Sequence, residues 1–236
     1  MNTINKLEFL RSNSLPSLVQ EEVLRMIKAG ELAAGARLNE LDLAERLKIS
    51  RSPLREAMRA LEEAGLVRLE RNRGMFVRQV SLAEALELYQ VRAALDDQAG
   101  RLLAPVITSA QLSELGVMLD GLEALGESDI DHTFPRNIAF HDRLVEMTGN
   151  TTLLGLYRQV INRMHLLRRR SFAGGNAASH REHREILAAL ATRSPQAAAN
   201  AMRAHVEHGY ERMHQASAQD APQNTMTRAR RRKDAA

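Results

Sequence analysis

The chain of 236 residues contains no cysteine and no tryptophan, and aromatic residues make up only 3% of it. Without cysteine, disulfide bonds and thiolate metal sites are excluded, which suits a reducing compartment. So few aromatic residues favour helices packed through leucine, alanine, valine and methionine over a β-sandwich. No run approaches the roughly 20 apolar residues of a membrane span, and residues 1–14 lack the apolar stretch of a signal peptide. We therefore expect a soluble, cytoplasmic protein.

Basic residues are in excess at both ends of the chain but not in its middle. Residues 1–80 carry 14 basic and 11 acidic side chains, residues 81–217 carry 14 and 16, and residues 218–236 carry 5 and 2. All eight histidines lie at or after His132. A basic, histidine-free front and a slightly acidic, histidine-bearing body predict two domains with different partners. We place these domains at residues 17–80 and 81–217, between a flexible leader (1–16) and a disordered basic tail (218–236).

The front domain has the pattern of a helix-turn-helix. A first helix is expected to be capped by Ser17 and to end at Gly30. A short helix then covers residues 40–47, a tight break follows at 48–50, and a longer helix runs from about Ser52 to Ala64. Two helices joined by a turn of this length place the N-terminal end of the second helix against base edges in the DNA major groove.

After Gly65 the sequence alternates apolar and polar residues, as β-strands do. Two short strands are predicted at residues 66–70 and 75–80, around a turn at 71–74. A hairpin that follows a recognition helix makes a winged helix, here with Arg71, Arg73 and Gly74 at the tip of the wing. Glycine allows close approach to a DNA groove, and arginines suit a narrow, electronegative minor groove.

Residues 81–217 are helical in pattern throughout. Glycine and proline breaks separate helices predicted near residues 82–104, 109–125, 134–148, 151–170, 178–192 and 195–215. Short connections between helices of this length favour an antiparallel bundle. The expected fold class is therefore mainly α: an N-terminal winged helix-turn-helix with a small β-hairpin wing, followed by an all-α antiparallel bundle of six to seven helices.

The start of the second helix of the helix-turn-helix carries the candidate DNA-reading residues. Ser50 or Ser52 can cap the helix or donate to phosphate. Arg51 and Arg55 point the same way, and an arginine that binds guanine in a bidentate manner is the commonest specific base contact. Arg59, one turn further, is placed for a phosphate contact. The alternative is that these arginines are simply solvated on an exposed helix face.

The sequence resembles the GntR family of bacterial transcription regulators, specifically the FadR-like branch with an all-helical FCD ligand domain. The resemblance covers about residues 17–215. In the front domain it rests on residues 38–77, LNELDLAERLKISRSPLREAMRALEEAGLVRLERNRGMFV. In the body it rests on residues 91–96, 140–141 with 149–150, 182–187 and 202–205. The resemblance implies that Arg51 and Arg55 read bases.

Four residues of the body form a candidate metal site. Asn137 and His141 are spaced i, i+4 and share one helix face, while His183 and His205 lie on two later helices. Neutral imidazoles from facing helices, with open positions left over, suit Zn²⁺ or Ni²⁺. The family resemblance implies one aspartate and three histidines at these positions. Asn137 departs from it, because its neutral amide lowers metal affinity and leaves the site one charge more positive, which favours an anionic ligand.

Alternatives remain open for these residues. His183 and His205 could be ordinary polar residues of the core, and His165, His180 and His208 are expected at the surface. Arg92 is the candidate clamp for an organic anion, because guanidinium matches a carboxylate in a bidentate fork. Its alternative role is a helix-surface ion pair with Asp96 at i, i+4. Weaker candidates for the pocket wall are Tyr89, Arg158 and Asn162.

Together these features predict a sequence-specific DNA-binding regulator. Its helical bundle would form a homodimer on a double-stranded operator and bind a small carboxylate effector, an organic or sugar acid, with a divalent metal ion as cofactor. Repression is the expected mode, and a ligand-responsive activator is the alternative. Two other classes are a metal-dependent hydrolase with a DNA-binding appendage and a non-sequence-specific DNA-packaging protein. No catalytic residue is predicted, so we do not expect an enzyme.

Overall fold

The computed structural model describes residues 14–125, 130–164, 166 and 176–220. These residues form two units: one contains the chain up to Ser81 together with the described residues between Arg158 and Leu167, and the other contains the remainder. The elements of the first unit are α1 (Leu15–Ala29), β1 (Arg37–Leu38), α2 (Glu40–Leu47), α3 (Arg51–Glu63), β2 (Val67–Glu70) and β3 (Gly74–Val77). After them come α4 (Leu82–Leu103), α5 (Ser109–Glu123), α6 (Ile130–Glu146), α7 (Thr151–Met164), α8 (Asn176–Ala191) and α9 (Pro195–Asp220).

Helix α1 begins earlier than the sequence suggests. Its N-cap is Ser14, whose side chain accepts a hydrogen bond from the backbone N–H of Ser17 at 3.3 Å. The expectation that Ser17 is the cap is therefore wrong, because Pro16 already lies in the first helical turn, where its missing N–H costs nothing. The helix ends at Gly30, whose φ of 78° is left-handed.

The predicted helix-turn-helix is present as α2 and α3. Helix α2 ends at Lys48, which has a φ of 53° and donates its backbone N–H to the last carbonyls of the helix. Ser50 is the N-cap residue of α3 by backbone geometry, but its side chain makes no capping hydrogen bond, and Ser52 already lies inside the helix. The buried core beneath these helices is made of Val19, Val23, Met26, Ile27, Leu38, Leu43, Ala44, Leu54, Ala57, Met58, Leu61, Leu66, Val67, Met75 and Val77.

The wing is a three-stranded antiparallel sheet with the order β1-β3-β2. The predicted hairpin of β2 and β3 is confirmed, with Glu70 opposite Gly74 and Val67 opposite Val77. The third strand, β1, was not predicted because two residues are too short to show alternation. The second predicted strand is also shorter than expected and ends at Val77 instead of residue 80.

The helical bundle is built on α4, which packs along α9. At Gly100 the two helices approach so closely that an added Cβ would lie 2.7 Å from the backbone of Ala198 and Ala199. Helix α6 begins at Ile130, a turn before the predicted start at Phe134, and contains Pro135. Helix α8 begins two residues before its predicted start.

Two predicted ends of helices either differ from the structure or fall outside the described residues. Helix α9 continues to Asp220, so the predicted tail does not begin at residue 218, and the rest of that segment lies outside the described part. The predicted extension of α7 to residue 170 also falls largely outside it. Within the residues that the structure describes, no helix combines the length and the apolarity needed to cross a membrane.

Candidate DNA-reading helix and buried histidine centre

Helix α3 separates its residues into a buried and an exposed face. Leu54, Ala57, Met58 and Leu61 are buried against the core of the first unit. The exposed face and the N-cap before it carry five of the eight residues proposed from the sequence for DNA contact, namely Ser50, Arg51, Ser52, Arg55 and Arg59. An amphipathic recognition helix with arginines at its exposed N-terminal end is the arrangement that a major groove accepts.

Arg55 is held by a residue that sequence reasoning missed. Its Nε donates a 2.8 Å hydrogen bond to Oε2 of Glu40, the first residue of α2. Because only Nε is used in this contact, the two terminal nitrogens of the guanidinium fork are left to face a base edge. No local pattern in the sequence indicates this pair, since the two residues are 15 positions apart.

The tip of the wing carries the two predicted arginines, and their surroundings differ. Arg73 pairs with Glu70 at 2.5 Å, and its guanidinium lies 5.5 Å from the ring centre of Phe76. Arg71 is exposed. Gly74 has a φ of 97°, a backbone conformation that favours glycine. A Cβ added at this position would lie 3.4 Å from Nε of Arg37.

In the second unit, three helices bring three histidines to one point. His141 lies on α6, His183 on α8 and His205 on α9, and the Nε2 of His141 is 3.1 Å from the Nε2 of both other rings. All three side chains are buried. Asn137, one helical turn before His141, is also buried at 8% exposure. The four residues proposed as metal ligands are therefore all in the interior.

Burial favours the neutral form of the three clustered histidines. It lowers the pKa of His141 and of His183 well below the ordinary value of histidine, and the charge of Arg92 adds to the shift at His141, as His205 and His180 do at His183. Burial also lowers the pKa of His205, although a hydrogen bond to Glu182 opposes the shift. The rings of His141 and His183 pack against Phe140, with ring centres 5.3 and 5.1 Å away. Neutral imidazoles present nitrogen lone pairs, which is the form that binds metal.

Glu182 orients one of these rings. It accepts a 2.7 Å hydrogen bond from Nδ1 of His205, so the Nε2 of that ring carries its lone pair toward the other histidines. Two hydrogen bonds from Arg212, at 2.6 and 3.0 Å, hold the carboxylate. Burial alone would raise the pKa of Glu182, but the bonds from His205 and Arg212 outweigh it and lower the pKa to about 2. Glu182 was missed as a functional residue, although it directly precedes His183.

The donor set fits a divalent transition metal. With metal–nitrogen bonds of about 2.0–2.1 Å, the ligand nitrogens of a four-coordinate ion lie roughly 3.3 Å apart. The separations of His141 from His183 and from His205, 3.1 Å each, are close to that value, and the three ligand atoms all lie within 4.8 Å of one another. The Nδ1 atoms of His141 and His183 are buried without a hydrogen-bond partner among the described residues. The Nε2–Nε2 distances show that Nε2 is the nitrogen that each ring turns toward the centre.

Arg92 and Asp96 form an ion pair, but not at the helix surface. The Nε of Arg92 lies 3.4 Å from Oδ2 of Asp96, and their side chains are only 8% and 1% exposed. Burial raises the pKa of Asp96 to about 6, against the opposing effect of Arg92. Tyr157, which sequence reasoning missed, is fully buried and interacts electrostatically with both. The candidate anion clamp is thus part of a buried polar group.

The other pocket candidates differ in their surroundings. Tyr89 is buried one turn before Arg92 on α4, is among the groups whose electrostatic interaction raises the pKa of Arg92, and packs edge-on against Tyr210, with ring centres 6.3 Å apart. Arg158 is exposed and Asn162 partly buried, and both belong to the first unit.

Two of the remaining histidines can be compared with the expectation of surface positions. His180 is partly buried. His208 is exposed, 3.3 Å from Glu182. His165 lies outside the described residues.

Two family models match this chain. Residues 16–77 match the model described as bacterial regulatory proteins, gntR family, and residues 87–208 match the FCD domain. The second match includes Arg92, Asn137 and all three clustered histidines.

Curated relatives and a solved structure agree with these matches. The chain is 31% identical over 179 residues to the Nta operon transcriptional regulator of Aminobacter aminovorans, which covers 76% of this chain and 85% of that protein. It is 28% identical over 199 residues to a probable D-xylose utilization operon transcriptional repressor of Paenarthrobacter nicotinovorans, with 84% and 88% covered. The fold is similar to that of Escherichia coli McbR/YncC, with a TM-score of 0.76 at 23% identity over 86% of this chain and 98% of the other.

Proposed function

This chain belongs to the GntR family of bacterial transcription regulators and carries an FCD effector-binding domain, and from that premise we propose that it is a homodimeric repressor that releases its operator when a small organic or sugar acid binds. The observation that carries the effector half of the proposal is the convergence of three buried Nε2 atoms within the domain that holds Arg92. Repression is supported by the relative from Paenarthrobacter nicotinovorans, whose name describes a repressor.

The DNA half of the function is assigned to the exposed face of α3 and to the wing. Arg51 and Arg55 read bases in the major groove, and Arg59, with the hydroxyls of Ser50 and Ser52, contacts phosphate. Arg71, Arg73 and Gly74 bring the wing to the neighbouring minor groove. In a homodimer, two such modules face successive half-sites of a pseudo-palindromic operator.

The effector half is assigned to the centre of the bundle. His141, His183, His205 and Asn137 would hold a divalent ion such as Zn²⁺ or Ni²⁺, which when bound supplies a Lewis-acidic position for an anionic oxygen. Arg92 binds the carboxylate of the acid through its guanidinium. Because Asn137 contributes no charge, the site keeps a positive excess that favours an anion.

Binding of the acid controls DNA affinity only through a difference between two arrangements of the protein. The acid shifts the equilibrium by no more than the ratio of its affinities for the operator-bound and operator-free arrangements. Typical coupling of this kind amounts to roughly 1–3 kcal/mol, or about 5- to 150-fold in DNA affinity. A metal-dependent hydrolase is not favoured, because the matched family and relatives are transcription regulators.

The proposal is tested with an operator selected from random double-stranded DNA. Fluorescence anisotropy then measures operator affinity with and without Zn²⁺ or Ni²⁺ and a panel of organic and sugar acids, and elemental analysis measures bound metal. We expect at least one acid to weaken operator binding by fivefold or more in the metal-loaded protein.

His183→Gln is the matching variant, and His214→Gln, at an exposed position on α9, is its control. The response to acid should be lost in the first and retained in the second. Operator affinity that no acid changes would overturn the effector half of the proposal, and an equal affinity for random DNA would overturn the DNA half.

A further inference from the structure

The outer face of the wing sheet carries an arginine that the sequence pattern did not indicate. Arg37 lies on the two-residue edge strand β1, opposite Phe76 of β3, and Arg68 of β2 is opposite Phe76 on the other side. Residues directly opposite each other in antiparallel strands share one face of the sheet. Arg37 and Arg68 are exposed, whereas Leu38 and Met75 on the other face are buried. The two arginines therefore lie on the side of the sheet that faces solvent.

The side chain of Arg37 extends along β3 toward the tip of the wing. Its backbone is opposite Phe76, but its Nε and Nη2 would lie 3.4 and 3.6 Å from a Cβ added at Gly74, which is nearer the tip. Gly74 and Phe76 are two positions apart on one strand, so they share a face. Because Gly74 has no side chain, nothing at this position separates the guanidinium from the strand. Gly74 thus provides space for Arg37 as well as the left-handed backbone of the turn.

Arg37 differs from the two neighbouring arginines because it has no acidic partner. Arg68 and Arg73 both pair with Glu70, at 2.8 and 2.5 Å. The guanidinium of Arg73 also lies over the ring of Phe76. In the part of the chain that the structure describes, Arg37 has neither a hydrogen bond nor an ion pair. All five donors of its guanidinium are therefore available to a partner from outside the chain.

The position of Arg37 suits a DNA phosphate and not a base edge. The turn at residues 71–73 protrudes furthest from the sheet and is the part that can enter a groove, whereas a group on the face of the sheet meets the backbone beside that groove. A guanidinium binds phosphate through two parallel N–H donors. Arg37 gives up no internal ion pair when it does so. Arg68 and Arg73, in contrast, already share the carboxylate of Glu70.

We propose that Arg37 binds a DNA phosphate beside the wing, and that Glu70 limits the contribution of Arg68 and Arg73 to DNA affinity by neutralising them. This inference rests on the proposed function in that it takes the wing to approach DNA. It makes Arg37 a residue of affinity and not of sequence preference, because a phosphate contact carries no base information.

The test measures the affinity of the full chain for operator and random duplexes over a series of salt concentrations. Arg37→Gln should weaken both by a similar factor, roughly threefold to tenfold, and should reduce the slope of log affinity against log salt by about 0.9, the value for one phosphate contact. Arg37→Lys keeps the charge and should restore most of the slope. An unchanged slope, or a loss confined to the operator, would overturn the inference.

A control variant shows whether the loss of any positive charge is enough. Arg203→Gln removes the same charge from an exposed position on α9 of the bundle and should leave both affinities and the salt slope unchanged. The midpoint of thermal unfolding should be the same in Arg37→Gln as in the parent chain, because Arg37 is exposed and makes no internal bond. Equal losses of DNA affinity in Arg203→Gln and Arg37→Gln would refute a phosphate contact at Arg37.

Two further variants separate this inference from the proposed function. Arg71→Gln should weaken DNA binding if the tip of the wing approaches DNA. A loss in Arg71→Gln with none in Arg37→Gln refutes the role of Arg37 alone, whereas no loss in either variant overturns the wing assignment as well. Glu70→Gln should raise the affinity for random duplexes and steepen the salt slope, since it frees Arg68 and Arg73. An unchanged affinity in Glu70→Gln refutes the limiting role of Glu70.

Discussion

Nε of Arg55 donates a hydrogen bond to Oε2 of Glu40 at 2.8 Å, across the turn of the helix-turn-helix. This pair joins the side chain that we propose reads bases to the first residue of α2. Because the contact uses only Nε, the terminal nitrogens of the guanidinium remain for DNA under this proposal. Any ordering of Arg55 by Glu40 before it binds would lower the entropic cost of recognition.

Replacement of Arg55, which we propose reads bases, should lower the preference for the operator. Arg55→Ala is expected to cost roughly 1–3 kcal/mol of operator binding with little effect on random DNA, because a lost bidentate base contact is specific to one base pair. Competitive anisotropy with operator and random duplexes measures both affinities. Arg59→Ala is the comparison, since loss of a phosphate contact should weaken both duplexes alike. An unchanged sequence preference in Arg55→Ala contradicts the assignment.

Glu40→Gln should change the ratio of the affinities for operator and random DNA, although a side chain of similar size still faces Arg55. Loss of a negative charge beside the DNA should raise the affinity for random duplexes. The affinity for the operator should rise less, because Arg55 is positioned less well. We expect the specificity ratio to fall by roughly threefold to tenfold. Glu45→Gln, on the same helix and also exposed, is the control. If both variants behave alike, the pair does not orient Arg55.

Asn137→Asp restores the aspartate that the family resemblance implies at the candidate metal site. A carboxylate adds a charged ligand beside His141, so Zn²⁺ affinity should rise by roughly tenfold or more. The same buried charge is unfavourable without the ion. The midpoint temperature of thermal unfolding should therefore be lower than that of the parent chain when metal is chelated, and higher when Zn²⁺ is present. Asn150→Asp, at an exposed position before α7, should leave Zn²⁺ affinity unchanged and shift unfolding equally with and without the ion. A metal affinity equal to that of the parent would count against Asn137 as a ligand.

Glu182→Gln should loosen the orientation of His205. Outer-shell partners of metal-binding histidines typically change metal affinity by about 10- to 100-fold, and the amide loses the charge that fixes the ring. Glu185→Gln, exposed on the same helix, is the matched control. Zn²⁺ titration with a competing chelator provides the measurement. Equal affinities in the two variants would leave Glu182 as a partner of Arg212 alone.

Gly100→Ala should destabilise the bundle. Its new Cβ would meet backbone atoms of Ala198 and Ala199 at 2.7 Å, and backbone cannot move aside as a side chain can. Overpacking of this kind costs about 1–3 kcal/mol in the free energy of unfolding. Gly155→Ala, where nothing lies within 4 Å of an added Cβ, should instead stabilise its helix by about 0.5–1 kcal/mol. Urea denaturation of both variants distinguishes the signs.

The local elements could be predicted because their causes are local. The helix-turn-helix, the hairpin and the helices of the bundle follow from apolar periodicity and from glycine and proline breaks. Errors lie at the ends of elements. Ser14 and Ser17 are equally good capping residues, and the position of Pro16 decides between them. Strand β1 has only two residues and exists because it pairs with Phe76 and Met75.

The sequence by itself determined the class of protein, the exposed face of α3 that we propose for DNA contact and the identity of the candidate metal ligands, because each depends on residue type and short spacing. The contacts that tune these sites were decided by tertiary structure alone. Glu40 reaches Arg55 over 15 positions, Glu182 reaches His205 over 23, and Tyr157 is buried where the charges of Arg92 and Asp96 act on it. No periodic pattern in the sequence indicates such contacts, because the packing of whole helices, and not local backbone preference, brings these side chains together.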